Sequence, residues 1–194
     1  MASRNGEPVE TFATRNAWER WLADQHDSLR GVWLELAKRG SGLERVSRAD
    51  ALEVALCYGW IDAQAAPLDD RRWLQRYTPR GRRSKWSKIN RAKALDLIDR
   101  GAMQPSGLRE VERAQADGRW EAAYDSPRTA AVPDDLRLAL DQNHAARAFF
   151  DALDGQNRYA ILYRVQDAKR PETRARRIAQ FVEMLAEGRK IHPS

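Results

Sequence analysis

The sequence predicts an α+β fold, with a small antiparallel sheet of about three strands in the N-terminal half, packed with helices, and a helical C-terminal half. Two observations lead to this prediction. Three short extended segments rich in large apolar residues lie before residue 80, and helix-capping residues recur beside apolar stripes at helical spacing. With 194 residues, 42% of them hydrophobic, the chain is long enough to bury such a core.

The individual elements follow from caps, turns and periodicity. The N-terminal elements, in order, are a helix capped by Thr14, a strand at Val32–Leu36, a helix from Ser47 to Gly59, a hairpin of Trp60–Ala65 and Arg72–Tyr77 beside that strand, and a helix capped by Ser84 or Ser87 and ended by Gly101. The later helices are predicted near Pro105–Asp117, Pro133–Asp141, Asn143–Leu153, Asn157–Lys169 and Pro171–Glu187.

We expect two parts in one compact unit, an α+β part at residues 1–101, which carries a basic aromatic hairpin and loop, and a helical part at residues 102–194 docked on it. The single cysteine, Cys57, excludes an intrachain disulfide. No secretory signal or run of about 18 apolar residues is present. These features predict a cytoplasmic protein without a membrane span.

Positive charge is concentrated in one segment. The formal net charge is +6, and residues 71–93 contain no Asp or Glu but ten cations, namely Arg71, Arg72, Arg76, Arg80, Arg82, Arg83, Lys85, Lys88, Arg91 and Lys93. This one segment therefore exceeds the net charge of the whole chain. A concentration of this kind predicts an anionic ligand or partner.

The hairpin and the loop after it combine these cations with aromatic rings and a serine. Arginine forks, a serine hydroxyl and the free amides of a helix N-terminus all suit phosphate or carboxylate. The predicted ligand-binding residues are Trp60, Asp62, Trp73, Arg76, Tyr77, Arg80, Arg82, Arg83, Ser84, Lys85, Trp86 and Lys88. The alternative is that the arginines only solvate a surface loop and that the rings belong to the core.

Asp62 is the one weak catalytic candidate, since a partly buried carboxylate near arginines can orient a ligand or act as an acid or base. We favour a structural ion pair with Arg72, Arg76 or Arg80 for it. The three histidines, His26, His144 and His192, lack neighbours at metal-ligand spacing. No nucleophile elbow or phosphate-binding glycine loop occurs, so the sequence predicts neither a metal nor a cofactor and leaves catalysis unsupported.

Several ordered motifs are shared with a known family. They are Ala55–Asp62, Tyr77–Arg80, Ser84–Asn90, Asp117–Trp120 and Ala168–Ile178. With these motifs the chain, from about Trp18 to Gly188, resembles the YdeI/OmpD-associated (OmdA-type, bacteriocin-protection) family. The resemblance implies a role in bacteriocin protection, resistance to cationic antimicrobial peptides and association with an outer-membrane porin. It implies no agreed activity and no catalytic residues.

The sequence is compatible with three functional hypotheses. The first is a non-catalytic binding protein for an anionic small molecule or acidic macromolecule in an envelope-stress response. The second is single-stranded nucleic-acid binding, which needs exposed rings beside the cations. The third is an enzyme that uses Asp62 as its acid or base.

Overall fold

The computed structural model describes residues 2–193, which form two compact units. The N-terminal unit comprises residues 2–86 and Asn90–Ala122, and the C-terminal unit comprises Ser87–Ile89 and residues 123–193. The predicted boundary after residue 101 falls inside the first unit, and a single docked body stays a prediction. The α+β class is confirmed, because the strands lie in the N-terminal half and the C-terminal half is helical.

The N-terminal unit contains a five-stranded sheet of order β1-β2-β3-β5-β4. Its strands are β1 (Ser3–Arg4), β2 (Glu7–Glu10), β3 (Val32–Ala37), β4 (Trp60–Pro67) and β5 (Arg72–Pro79). The three predicted strands are all present. The sheet is mixed rather than antiparallel, because β2 pairs parallel to β3. β1 and β2 were not predicted, since both are short and carry charged residues instead of an apolar run.

The two faces of this sheet differ in what they bury. Val32, Leu34 and Leu36 of β3 lie opposite Tyr77, Gln75 and Trp73 of β5, so these six side chains share one face. Helices α1 (Arg15–Gln25) and α2 (Arg48–Cys57) belong to the same unit. On the shared face the rings of Trp18 and Tyr77 lie 5.8 Å apart, and both side chains are fully buried. As predicted, Arg72, Leu74 and Arg76 occupy the opposite face.

The predicted caps are present at the first two helices. The Thr14 hydroxyl accepts from the Ala17 amide, and the Ser47 hydroxyl accepts from the Asp50 amide at 3.1 Å. Two more helices follow, α3 (Lys88–Asp99) and α4 (Pro105–Ala116). Gly107 of α4 lies directly against the C-terminal end of α2, where a Cβ atom would come within 2.2 Å of the Cys57 carbonyl oxygen.

The C-terminal unit is built from helices α5 (Asp134–Asp141), α6 (His144–Asp151), α7 (Gly155–Asp167) and α8 (Pro171–Ala186). Its core includes the buried side chains of Leu136, Leu140, Phe150, Ile161, Leu162, Val165, Ile178 and Leu185. Asn143 and Asp154 cap α6 and α7 through their side chains. Between residues 2 and 193, no helix has the length and apolarity needed to cross a bilayer.

Candidate functional site

The loop after β5 contains a tight turn whose tip carries two arginines. The Ser84 amide donates to the Gly81 carbonyl at 2.9 Å, and the Gly81 amide donates to the Ser84 hydroxyl oxygen at 2.9 Å. Arg82 and Arg83 occupy the two central positions, and both are exposed. Their guanidinium groups therefore face solvent from a backbone that is hydrogen-bonded across its base. We call residues 81–84 the arginine turn.

Arg80, directly before the arginine turn, is an interior residue. Its side chain is 4% exposed, its guanidinium lies 3.6 Å from the ring centroid of Trp86, and its Nη1 donates to the Lys85 carbonyl at 3.2 Å. Trp86 packs in turn against Trp120, with ring centroids 4.9 Å apart. The face of the Trp86 ring attracts the Arg80 guanidinium through a cation–π interaction, which offsets part of the cost of burying its charge. Arg80 thus supports the loop from inside.

Two further arginines hold the ends of the arginine turn. Arg113 on α4 donates from Nη2 to the Arg80 carbonyl at 3.1 Å, and Arg119 donates from Nη1 to the Ser84 carbonyl at 2.8 Å. Arg113 is ion-paired with Glu110, and Arg119 with Asp117 at 2.7 Å. Both main-chain ends of the turn are therefore fixed by charge-assisted hydrogen bonds, which are stronger than neutral ones.

Glu110, the ion-pair partner of Arg113, is the less exposed of the two carboxylates beside the arginine turn. Burial raises the pKa of Glu110 above its ordinary value, while the nearby guanidinium groups of Arg113, Arg119 and Arg80 act in the opposite direction. Gly59 lies against the same side chain, because a Cβ atom there would come within 2.9 Å of the Glu110 Cγ atom. Neither Arg113 nor Glu110 was among the predicted site residues, and Arg119 was noted only as part of a shared motif.

Most of the predicted aromatic platform lies in the interior. Trp60, Tyr77 and Trp86 are 1%, 0% and 2% exposed, and only Trp73 is partly exposed. Burial, with a smaller contribution from Asp62, raises the pKa of the Tyr77 phenol. Rings that stack on nucleic-acid bases must be open to solvent. The alternative prediction, that these rings belong to the core, is correct for these three.

Residues 71–93, the basic segment, contain no Asp or Glu, which predicted cations without acidic partners. This prediction is wrong for several of them. Arg72 pairs with Glu35 at 3.1 Å and with Asp69, and Arg76 pairs with Glu7 through Nε at 2.7 Å. Two further ion pairs are Lys88 with Asp125 at 2.7 Å and Lys93 with Glu53 at 3.1 Å. The acids come from elsewhere in the sequence, so a count within residues 71–93 could not find them.

Lys85 and Arg71 are exposed, and Arg71 donates to the Ser41 carbonyl at 2.8 Å.

Asp62 forms an ion pair, but with Arg48 of α2 at 3.3 Å rather than with Arg72, Arg76 or Arg80. The strand register explains the difference. Asp62 lies opposite Tyr77, on the face that Arg72 and Arg76 point away from. Its side chain is 21% exposed, while that of Arg48 is 63% exposed, so the pair lies near the surface. A catalytic role for Asp62 stays a prediction.

The single cysteine, Cys57, is a buried free thiol. Burial raises the pKa of the Cys57 thiol to about 11, which leaves it protonated at neutral pH, as expected for an inert core thiol. Among the residues that the structure describes, no group of three or more His, Cys, Asp or Glu side chains is arranged to hold a metal ion.

Comparison with protein families assigns each part of the chain separately. Residues 10–110, more than half of the chain, match the family described as Domain of unknown function (DUF8412). The chain belongs to the DUF8412 family. This match contains the arginine turn and Arg80, and it ends before Arg113.

Residues 129–188 match the family described as Bacteriocin-protection, YdeI or OmpD-Associated. The resemblance to this family is confirmed for that segment, which lies within the C-terminal unit. The matched segment is shorter than the expected range from Trp18 to Gly188, and the motifs before residue 129 fall outside it. No curated protein and no solved structure matches the chain.

Proposed function

We propose that this protein is a non-catalytic binding protein that recognises an acidic macromolecular partner through Arg82 and Arg83, in a role related to bacteriocin protection. The observation that supports the proposal is the construction of the arginine turn. Its tip carries two exposed cations, and its base is fixed by Arg80, Arg113 and Arg119. Fixing a loop before binding lowers the conformational entropy lost on binding.

The exposure of the two arginines favours a macromolecule over a small molecule. Small-molecule sites are concave and bury most of the ligand surface. Arg82 and Arg83 instead stand on a turn tip, so a partner must bring its own acidic surface to them. Two adjacent guanidinium groups can each form paired hydrogen bonds with a carboxylate or phosphate.

The charge of the chain sets the direction of any protective role. A protein with a formal net charge of +6 repels cationic peptides at long range. Protection is therefore expected to act through an anionic partner rather than by capture of the peptide. The family description also mentions association with OmpD, which makes an outer-membrane porin one candidate partner.

Single-stranded nucleic acid is a less suitable partner for this site. Its phosphates suit the two arginines, but two of the three rings expected to stack on bases, Tyr77 and Trp86, are buried. An oligonucleotide that binds only by its backbone should bind without changing tryptophan fluorescence.

The test uses fluorescence anisotropy with a labelled oligoglutamate peptide, and a labelled oligoglutamine peptide as the neutral comparison. We expect the wild-type protein to bind oligoglutamate, more weakly as salt increases, and the Arg82→Gln/Arg83→Gln variant to lose about tenfold or more in affinity. The matched control is Arg20→Gln/Arg39→Gln, which removes the same charge from two other exposed positions of the N-terminal unit. Equal losses in both variants would show that net charge, and not this turn, causes binding.

The circular dichroism spectrum and melting temperature of each variant should remain those of the wild type, because neither Arg82 nor Arg83 is buried. Arg80 is left unchanged in this test. Its replacement would remove an interior side chain and confuse binding with folding.

A further inference from the structure

The C-terminal unit contains a cavity of its own, with a volume of about 350 Å³. This volume lies within the range usual for small-molecule sites. The residues that line it are Lys88, Asp125, Thr129, Ala130, Ala131, Pro133, Leu162, Gln166 and Arg174. None of them belongs to the arginine turn, so the cavity is a separate site.

One wall is a fixed polar cluster around Asp125. The Lys88 Nζ atom lies 2.7 Å from Asp125 Oδ1, and Gln166 Nε2 donates to Asp125 Oδ2 at 3.0 Å. The main chain of Asp125 is held as well, since its amide donates to Gln166 Oε1 and its carbonyl accepts from the Tyr159 hydroxyl at 2.7 Å. Both carboxylate oxygens of Asp125 are therefore engaged, whereas the ammonium group of Lys88 has three N–H donors.

Arg174 is the second cation of the cavity and is also held in place. It donates from Nε and Nη2 to Asp135 at 2.5 and 2.9 Å, and from Nη1 to the Val165 carbonyl at 2.8 Å. A guanidinium has five N–H donors, so these three bonds leave donors on Nη1 and Nη2. Asp135 is not among the lining residues. Each lining cation is thus paired with one carboxylate, Lys88 with Asp125 and Arg174 with Asp135, and each keeps N–H donors for a ligand.

The remaining walls are apolar. Leu162, Pro133 and the two alanines Ala130 and Ala131 face the same cavity as the charged groups. We propose that this cavity binds a small organic carboxylate, whose charged end accepts hydrogen bonds from Lys88 and Arg174 and whose apolar part packs on Leu162 and Pro133. Both cations are already paired with a carboxylate, so the attraction for the ligand comes from their remaining N–H donors, and the apolar walls distinguish such a ligand from free phosphate.

The proposal is tested by recording amide chemical shifts of the full chain during titration with benzoate, with benzamide and inorganic phosphate as comparison probes. Benzoate should shift the signals of Thr129 and Gln166 in a saturable manner, and benzamide, which has the same shape without the charge, should not. If benzamide or phosphate binds as tightly as benzoate, or if benzoate causes no shift, the assignment is wrong.

Two variants of the cavity and one matched control complete the test. Lys88→Met keeps the side-chain length but removes the charge, and we expect benzoate affinity to decrease by about tenfold or more. Ala131→Phe, at an exposed position of the lining, should weaken binding by filling space. Lys169→Met makes the same charge change at an exposed position outside the lining and should bind as the wild type does. Unchanged benzoate binding in both cavity variants would overturn the proposal.

This inference and the proposed function can fail separately. The Arg82→Gln/Arg83→Gln variant should bind benzoate with wild-type affinity, because it leaves every lining residue in place. Conversely, Lys88→Met should leave oligoglutamate binding unchanged if the arginine turn alone recognises that peptide. A loss of benzoate binding in the turn variant would contradict two separate sites.

Discussion

Arg119→Gln separates the rigidity of the arginine turn from the charge at its tip. In the native structure Arg119 donates to the Ser84 carbonyl at 2.8 Å, and its side chain is only 15% exposed. Loss of a charged hydrogen bond to a partly buried carbonyl costs about 2 kcal/mol, which for a chain of this size lowers the melting temperature by about 4–8 °C. The ion pair with Asp117 should contribute little, because the Asp117 side chain is 44% exposed.

The measurement combines thermal unfolding with amide hydrogen exchange. The Ser84 amide, which donates to the Gly81 carbonyl, should exchange faster in Arg119→Gln than in the wild type, and oligoglutamate affinity should fall although Arg82 and Arg83 are intact. Asp117→Asn is the matched control, since it removes the ion pair but keeps the bond to Ser84. If Asp117→Asn destabilises the protein as much as Arg119→Gln does, the reasoning about the turn is refuted.

Three further predictions follow from single contacts. Gly107→Ala should lower the free energy of unfolding by about 2–3 kcal/mol in chemical denaturation, because its Cβ atom would meet the Cys57 carbonyl at 2.2 Å. Gly155→Ala is the control and should be neutral or slightly stabilising, because a Cβ atom at that position meets no other atom within 4 Å. The hydrogen bond from Arg76 lowers the pKa of Glu7, so this pair stabilises the fold at pH values above the ordinary Glu pKa and loses that effect as the pH falls. Glu7→Gln should therefore make the free energy of unfolding depend less on acid pH. An unchanged dependence of unfolding on pH would contradict this role. The Cys57 thiol, with its pKa raised to about 11, should react with a thiol reagent at mildly alkaline pH only after unfolding, and fast labelling of the folded chain would contradict its burial.

The sequence predicted the regular elements well where local signals decide them. The capping residues Thr14 and Ser47 act as expected, and the hairpin of β4 and β5 lies beside β3. The two N-terminal strands were missed, although Asn5-Gly6 is a frequent hairpin turn and both residues have positive φ values of 53° and 77°. A parallel pairing such as that of β2 with β3 depends on contacts distant in sequence, which periodicity does not reveal.

The candidate site was harder to predict, because charge partners are tertiary. The acids that pair with Arg72 and Arg76, namely Glu35 and Glu7, precede them by 37 and 69 residues. Arg113 and Arg119 were outside the basic segment and could be related to it only by the fold. Arg174 lies within the shared motif Ala168–Ile178, but the cavity that it lines could not be inferred from sequence spacing.

A run of basic residues in a sequence is therefore not the same as a basic surface. Strand alternation sends Arg72 and Arg76 to one face of the sheet, where carboxylates already meet them. The next arginine, Arg80, lies over the Trp86 ring in the interior, and only then does a turn bring two arginines to solvent. Since buried and paired cations add little to the field that a partner meets, the recognition proposed for this loop should depend on the few exposed charges and on how firmly the interior arginines hold them.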